Sequence, residues 1–157
     1  MKNNKKIVLW NDTISTYPSK GKTVLVGGCF DIIHLGHMQF LKNAKKEGDI
    51  LIIALESDEF MKNRKYRIPI HNQIQRAEIL SEFSIVDLII LLPYFSTDDQ
   101  YYQLVKKINP DVIAITENDP YIGNKQKQAK LTGAKVKVVL SQLPGFSTKK
   151  IREAFGI

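Results

Sequence analysis

The sequence predicts an α/β fold: a doubly wound sheet of about five parallel strands with helices on both faces. Three observations predict it. Short runs apolar on both faces, such as "ILIIAL" at Ile50–Leu55, recur along the chain, as strands buried between two layers of helices require. Segments with apolar residues at helical spacing separate these runs. The resulting strand–helix alternation, five times over, implies parallel pairing through right-handed crossovers.

Each element has its own signal. The first strand covers 24–26 and runs into the turn Gly27-Gly28. Met38, Leu41 and Ala44 then mark a helix that Gly48 closes. After the strand Ile50–Leu55, the charged stretch "ESDEFMKNRKYRIPIHN" reads as a loop with a short helix. Ile74, Ala77, Leu80 and Phe83 mark the next helix, and "VDLIILL" at 86–92 is a buried strand stopped by Pro93. Tyr101, Leu104, Val105 and Ile108 mark a helix ending before Asn109-Pro110. A strand at 111–116 follows, then a lysine-rich helix up to Gly133 and an edge strand at Lys135–Leu140. A terminal helix covers Thr148–Phe155. In this Rossmann-like arrangement, ligands sit beyond the carboxyl ends of the strands. The segments leaving those ends are 27–37, 56–67, 93–98, 116–123 and 141–148.

The 157 residues suit a single domain, 1–157, with residues 1–20 as an N-terminal extension. Net charge is +7, which favours anionic small-molecule partners. The lysines form no long basic block and carry no interleaved aromatic pattern, so no nucleic-acid partner is expected. No apolar run approaches the roughly 20 residues that span a bilayer, and none near the start is long enough for a signal peptide, so no membrane association is expected. A single cysteine, Cys29, excludes an intrachain disulfide and fits the reducing cytoplasm.

The stretch "GGCFDIIHLGH" (27–37) concentrates chemistry after the first strand, with two of the three histidines in it. Gly27 and Gly28 let the backbone approach a ligand closely. A helix beginning near Leu35 or Gly36 directs free N–H groups at an anion. His34 and His37, three apart, lie on one side of its first turn and reach one phosphate together, and Gly36 keeps that surface open. Asp31 either orients a histidine or caps the turn. Two histidines could also be half of a metal site, but no third ligand cluster completes one. Cys29 also suits a small buried apolar position.

The same stretch resembles the signature of the HxGH nucleotidyltransferase superfamily, the cytidylyltransferase-like enzymes. Further matches follow in order: "MKNRK" resembles the loop with the catalytic lysine, "QIQRAEIL" the Gln/Glu-Arg helix, and "GFSTKKI" the C-terminal glycine-x-Ser-Thr motif. The resemblance covers about residues 20–157 and is greatest to bacterial heptose-phosphate adenylyltransferase domains. Glycerol-3-phosphate cytidylyltransferases come next, although "SQLPGFST" lacks the arginine they carry before the motif. Archaeal-type FAD synthetases are a third variant.

The resemblance implies transfer of a nucleotidyl group from an NTP, ATP ahead of CTP, to a phosphorylated sugar or alcohol, with release of pyrophosphate. It implies His34, His37 and Lys62 as catalytic residues, with Lys65 second to Lys62. It places Gly28, Cys29, Phe30, Asp31, Gly36, Arg76, Ser147 and Thr148 at the nucleotide. It implies Mg²⁺ carried on the phosphates, and admits a homodimer. Two departures stand out. "TENDPY" replaces a glycine-rich turn after the fourth strand, and Lys149 stands where a second threonine is usual. They leave open another substrate, or a module that binds nucleotide without turnover.

Overall fold

The computed structural model describes residues 5–11, 20–141 and 147–156. Its elements are β1 (Ile7–Leu9), β2 (Thr23–Gly28), α1 (Leu35–Lys45), β3 (Ile50–Leu55), α2 (Asp58–Lys65), α3 (Gln73–Ser81), β4 (Leu88–Leu91), α4 (Asp98–Ile108), β5 (Val112–Thr116), α5 (Ile122–Thr132), β6 (Lys135–Leu140) and α6 (Thr148–Phe155). The strands form one parallel sheet in the order β1-β4-β3-β2-β5-β6. This is the doubly wound α/β architecture that the alternation predicts.

Strand alternation divides the core in two. Val24, Val26, Leu51, Ile53 and Ile89 face one layer, where Phe40, Leu41 and Ala44 of α1 and Ala77 and Leu80 of α3 cover them. Leu25, Ile52, Ile90, Ile113 and Ile115 face the other, under Leu104, Val105 and Ile108 of α4 and Ala129 of α5.

The differences from expectation are local. A sixth strand, β1, comes from the segment read as an N-terminal extension: Ile7 and Leu9 pair with Ile89 and Leu91 of β4. Three residues, none fully buried, are too few for periodicity to reveal. The strand expected at 86–92 narrows to Leu88–Leu91. The charged loop after β3 holds a full helix, α2, because Ser57 accepts a hydrogen bond from Phe60 N (3.1 Å) as its N-cap and Tyr66 ends it in the left-handed region. Gly48 does not cap α1, which ends at Lys46 in helical geometry. A Cβ on Gly48 would lie 2.5 Å from the Lys22 carbonyl, so the glycine serves close passage beside the start of β2.

Candidate active site

From β2 the chain builds β3 and β4 on one side of the sheet and β5 and β6 on the other, so strand order reverses between β2 and β5. A cavity of about 350 Å³ opens there at the carboxyl ends of the strands, on the α4–α5 face. The sequence explains the opening. Gly27 and Ala54 are register partners on that face, and both are small. A Cβ on Gly27 would meet only the Ala54 carbonyl, at 4.0 Å.

The 27–37 segment folds over the cavity. Phe30 and Ile32 both take left-handed backbone (φ 49° and 56°), a strained arrangement for residues with side chains. The Phe30 ring folds back over Gly28, where a Cβ would lie 2.9 Å from it. His34 is the N-cap of α1, and its Nδ1 accepts a hydrogen bond from Gly36 N (3.1 Å). The neutral ring therefore carries its proton on Nε2, which remains a donor. The His34 and His37 rings stack at 3.9 Å, and His37 packs 5.3 Å from Phe30. Burial pushes His37 down to about 3, with His34 and Arg67 adding to the effect and the Ile32 backbone and Asp31 offsetting part of it. Burial also lowers His34. Both histidines thus offer neutral N–H dipoles at neutral pH.

The remaining expected residues divide. Thr148 lines the cavity, and its hydroxyl donates to the Asp31 carbonyl at 3.3 Å. Ser147 caps α6 by accepting from Lys150 N (3.2 Å), and Gly145 and Phe146 of the same motif lie outside the described residues. Gly28, Cys29 and Phe30 line the cavity, while Gly36 is buried beneath the histidine turn. Burial, and then Glu56, push the Cys29 thiol up, so it stays protonated.

Asp31 lines the cavity but does not cap α1 and makes no hydrogen bond to His34 or His37: its buried carboxyl group accepts from Ile70 N (3.2 Å) and His71 N (3.1 Å), and the histidine ring beside it is that of His71, at 3.9 Å. Arg76 is not at the cavity wall. It is 1% exposed, and its guanidinium donates to the carbonyls of His71, Cys29 and Glu56 and to the Asp58 carboxylate. Lys62 is exposed on α2 and also lies off the wall, whereas Lys65 and Arg67 are on it. Three positions apart, the two lysines share a side of α2 but stand about 4.5 Å apart along its axis, and "KNRK" does not show which of them reaches the cavity. Lys65 Nζ sits 5.2 Å over the Tyr121 ring. Lys65 and Arg67 also border a shallower hollow with Lys149 and Arg152, so positive charge continues from the cavity onto α6.

Sequence reasoning missed Glu56, Tyr101 and Lys125, which line the same cavity. Glu56 had a legible signal: it continues the alternation Ile52, Ala54 into the segment leaving the strand. Burial pushes it up to about 7, against the opposing pull of Tyr101, Lys125, Lys65 and Arg76. The unusual "TENDPY" segment forms a turn of its own. Asp119 accepts from Tyr121 N (2.8 Å) and pairs with Lys125 (2.6 Å), which sets Pro120 and Tyr121 on the wall.

A strand-end cavity beside a histidine pair at a helix start, with cations and a second helix start around it, is a site for phosphoanhydride chemistry. The family model described as cytidylyltransferase-like matches residues 25–154, and the chain belongs to that family. It is a nucleotidyltransferase. It is 40% identical to an FAD synthase of Pyrococcus abyssi, over 77% of this chain and 79% of that one. It is 35% identical to the bifunctional protein HldE of Campylobacter jejuni subsp. doylei, over 84% of this chain and 27% of that much longer one. Among solved structures it resembles a lipopolysaccharide core biosynthesis protein of Thermoplasma volcanium (28% identity, TM-score 0.64, 81% of this chain and 99% of that one). Among the described residues, no helix is long and apolar enough to cross a membrane.

Proposed function

We propose that this enzyme is an adenylyltransferase that transfers AMP from ATP to a phosphorylated acceptor with a flat, largely apolar body, FMN being the type example. The observation that carries this reading is the cavity. Leu25, Phe60, Leu92, Phe95, Tyr101 and Ile113 line it, beside side chains of both charges such as Lys65, Arg67, Glu56 and Asp119. A polyhydroxylated sugar has little use for such walls, whereas a fused ring system buries apolar area against them. The similarity to FAD synthases supports the same acceptor.

In this reading an acceptor phosphate oxygen attacks the α-phosphorus of ATP. A P–O bond forms there as the bond to the bridging oxygen of pyrophosphate breaks. The protein aligns the two phosphates and stabilises charge that spreads over their oxygens. His34 donates through Nε2–H and His37 through its ring, both aided by the positive end of α1. Lys65 and Arg67 supply the cationic charge expected of Lys62, and Thr148 with the start of α6 contacts the same oxygens. Arg76, Asp31 and Ser147 act as positioning residues. Among the described residues, no group of three or more His, Cys, Asp or Glu could hold a metal ion. In this reading Mg²⁺ enters on the triphosphate, as part of the substrate, and keeps most of its waters. The lone cysteine supports a cytoplasmic setting.

A second reading, a sugar phosphate acceptor, draws on the HldE and Thermoplasma similarities and on the carboxylates of Glu56 and Asp119 in the cavity, which suit hydroxyl groups. Pyrophosphate release decides between them, with ATP and CTP crossed against FMN, glycerol 3-phosphate, and heptose and hexose 1-phosphates. Turnover of ATP with FMN alone is the expected result. Turnover only with a sugar phosphate replaces the first reading by the second. Nucleotide binding without turnover on any acceptor refutes both and leaves a binding module.

A further inference from the structure

Glu56 is among the ionisable groups of the cavity that the phosphate chemistry does not use. Glu56 follows β3, one position beyond the Gly28–Leu55 register pair, and its side chain shares the face of Ile52 and Ala54. Its backbone is fixed on both sides: its N–H donates to the Gly28 carbonyl (3.0 Å), and its own carbonyl accepts from the buried Arg76 (2.9 Å). The carboxyl group therefore projects rigidly into the cavity, at 8% exposure.

We propose that Glu56, tethered by Tyr101, is the specificity-determining residue for the acceptor, and that it accepts a hydrogen bond from an N–H or O–H on the acceptor's non-phosphate end. The proposal rests on reading the cavity as the acceptor's site. The Tyr101 hydroxyl lies 3.0 and 3.2 Å from the two carboxylate oxygens. One hydroxyl proton serves one hydrogen bond, and a carboxylate has about four lone-pair positions, so accepting capacity remains. The cations nearest Glu56 are engaged elsewhere: Lys125 with Asp119, Arg76 with Asp58, and Lys65 over Tyr121. A buried carboxyl without an ion-pair partner is costly to keep and fits a group awaiting a ligand. Its negative charge also repels phosphate, which assigns it to the opposite end of the acceptor from the histidines. The imide N–H of a flavin ring is such a donor.

Ionised Glu56 accepts and protonated Glu56 does not accept equally well, so acceptor affinity should strengthen as pH rises through about 7. The groups that face Glu56 are Tyr101 from α4, Lys125 from α5, Tyr121 just before α5, Lys65 from α2, Arg76 from α3 and Cys29 beyond β2. The shifts of Tyr101, Tyr121 and Cys29 are all upward from already alkaline values, which leaves Glu56 as the group titrating near neutrality.

The test compares FMN with FMN methylated at the imide nitrogen, by pyrophosphate release, in wild type, Glu56→Gln and Glu56→Leu, with thermal melts to verify folding. Wild type should prefer the unmethylated acceptor by roughly tenfold to hundredfold in kcat/KM, the worth of one charge-assisted hydrogen bond. Glu56→Leu should lose that preference and the pH dependence of acceptor KM, with KM for ATP unchanged, and Glu56→Gln should retain part of the preference. A Glu56→Leu enzyme that still discriminates, or a wild type that never did, overturns the proposal and leaves the acceptor reading standing. If wild type turns over a sugar phosphate and not FMN, the acceptor reading falls. The comparison then runs on that sugar phosphate and its deoxy analogues, where equal discrimination by wild type and Glu56→Leu overturns the role of Glu56. A wild type active on neither acceptor refutes both.

Discussion

Arg76→Met separates two roles for the same residue. If Arg76 contacts the triphosphate, the variant should be as stable as wild type and should show a raised KM for ATP. The structure predicts the opposite pattern. Four hydrogen bonds join Arg76 to the carbonyls of Cys29, Glu56 and His71 and to Asp58, so it binds the ends of β2 and β3 to the segment before α3. Methionine fills much of the volume but donates nothing, and it leaves three carbonyls unpaired at about 1–3 kcal/mol each. Asp58, 31% exposed at its side chain, regains water and offsets part of the loss. The net cost is about 4 kcal/mol, in the range seen when one partner of a buried charged pair is removed. For a chain of this length that corresponds to a fall in Tm of about 8–16 °C. Urea or thermal unfolding at neutral pH measures it. A fall below about 2 °C, with a selective rise in KM for ATP, would refute the positioning role.

The other predictions address the site and its electrostatics. His34→Asn keeps a good N-cap on α1 and removes the Nε2–H donor, so turnover should fall by roughly 10²–10³ with little change in Tm; steady-state pyrophosphate release and a thermal melt measure both. Lys65→Ala should lower kcat/KM by roughly 10²-fold while Lys62→Ala changes it little, and the reverse ranking in the same assay would return the catalytic charge to Lys62. Gly27→Val places its branches in open cavity and should raise KM for the acceptor without lowering Tm, a split read from acceptor titrations beside melts. Glu56 also governs stability against pH. Its folded-state value is raised from an ordinary 4.5 to about 7, so the native state binds more protons than the unfolded state between those limits. Stability should therefore fall as pH rises through that window, by about 3 kcal/mol in total. Glu56→Leu should remove this fall, as urea midpoints at pH 5 and pH 8 would show.

Four of the five expected strands were legible because burial on both faces leaves continuous apolar runs, as at Ile50–Leu55, whereas the edge strand β6 shows instead as alternation in "KVKVVL". β1 was not, because Ile7–Leu9 packs at the sheet edge and carries no pattern longer than itself. The histidine turn was legible as a motif, since His34, Gly36 and His37 depend on local spacing. The partners of Asp31 and Arg76 were not: those of Asp31 lie 39 and 40 residues away, and those of Arg76 up to 47, and the fold brings them together. A buried arginine and a phosphate-binding arginine look alike in a sequence, because both need a fork of donors. Lys62 and Lys65 share a side of α2 and differ in how far along it they stand, on a helix whose start depends on one serine cap. Glu56 could have been found by carrying the strand alternation one residue past the apolar run.

The place of β1 in the sheet has a consequence for how the protein is made. β1 precedes β2 and β3 in the chain, yet its hydrogen-bonding partner is β4, with Ile7 opposite Ile89, and the Lys6 ammonium reaches the carbonyls of Ser81 and Phe83. On the ribosome β1 must wait, without its partner strand, until β4 has emerged. The interior strands β2 and β3 come together long before that, so the edge strand is seated on a sheet already assembled. A stall or truncation between β3 and β4 would release a nascent chain whose β1 has no strand to pair with.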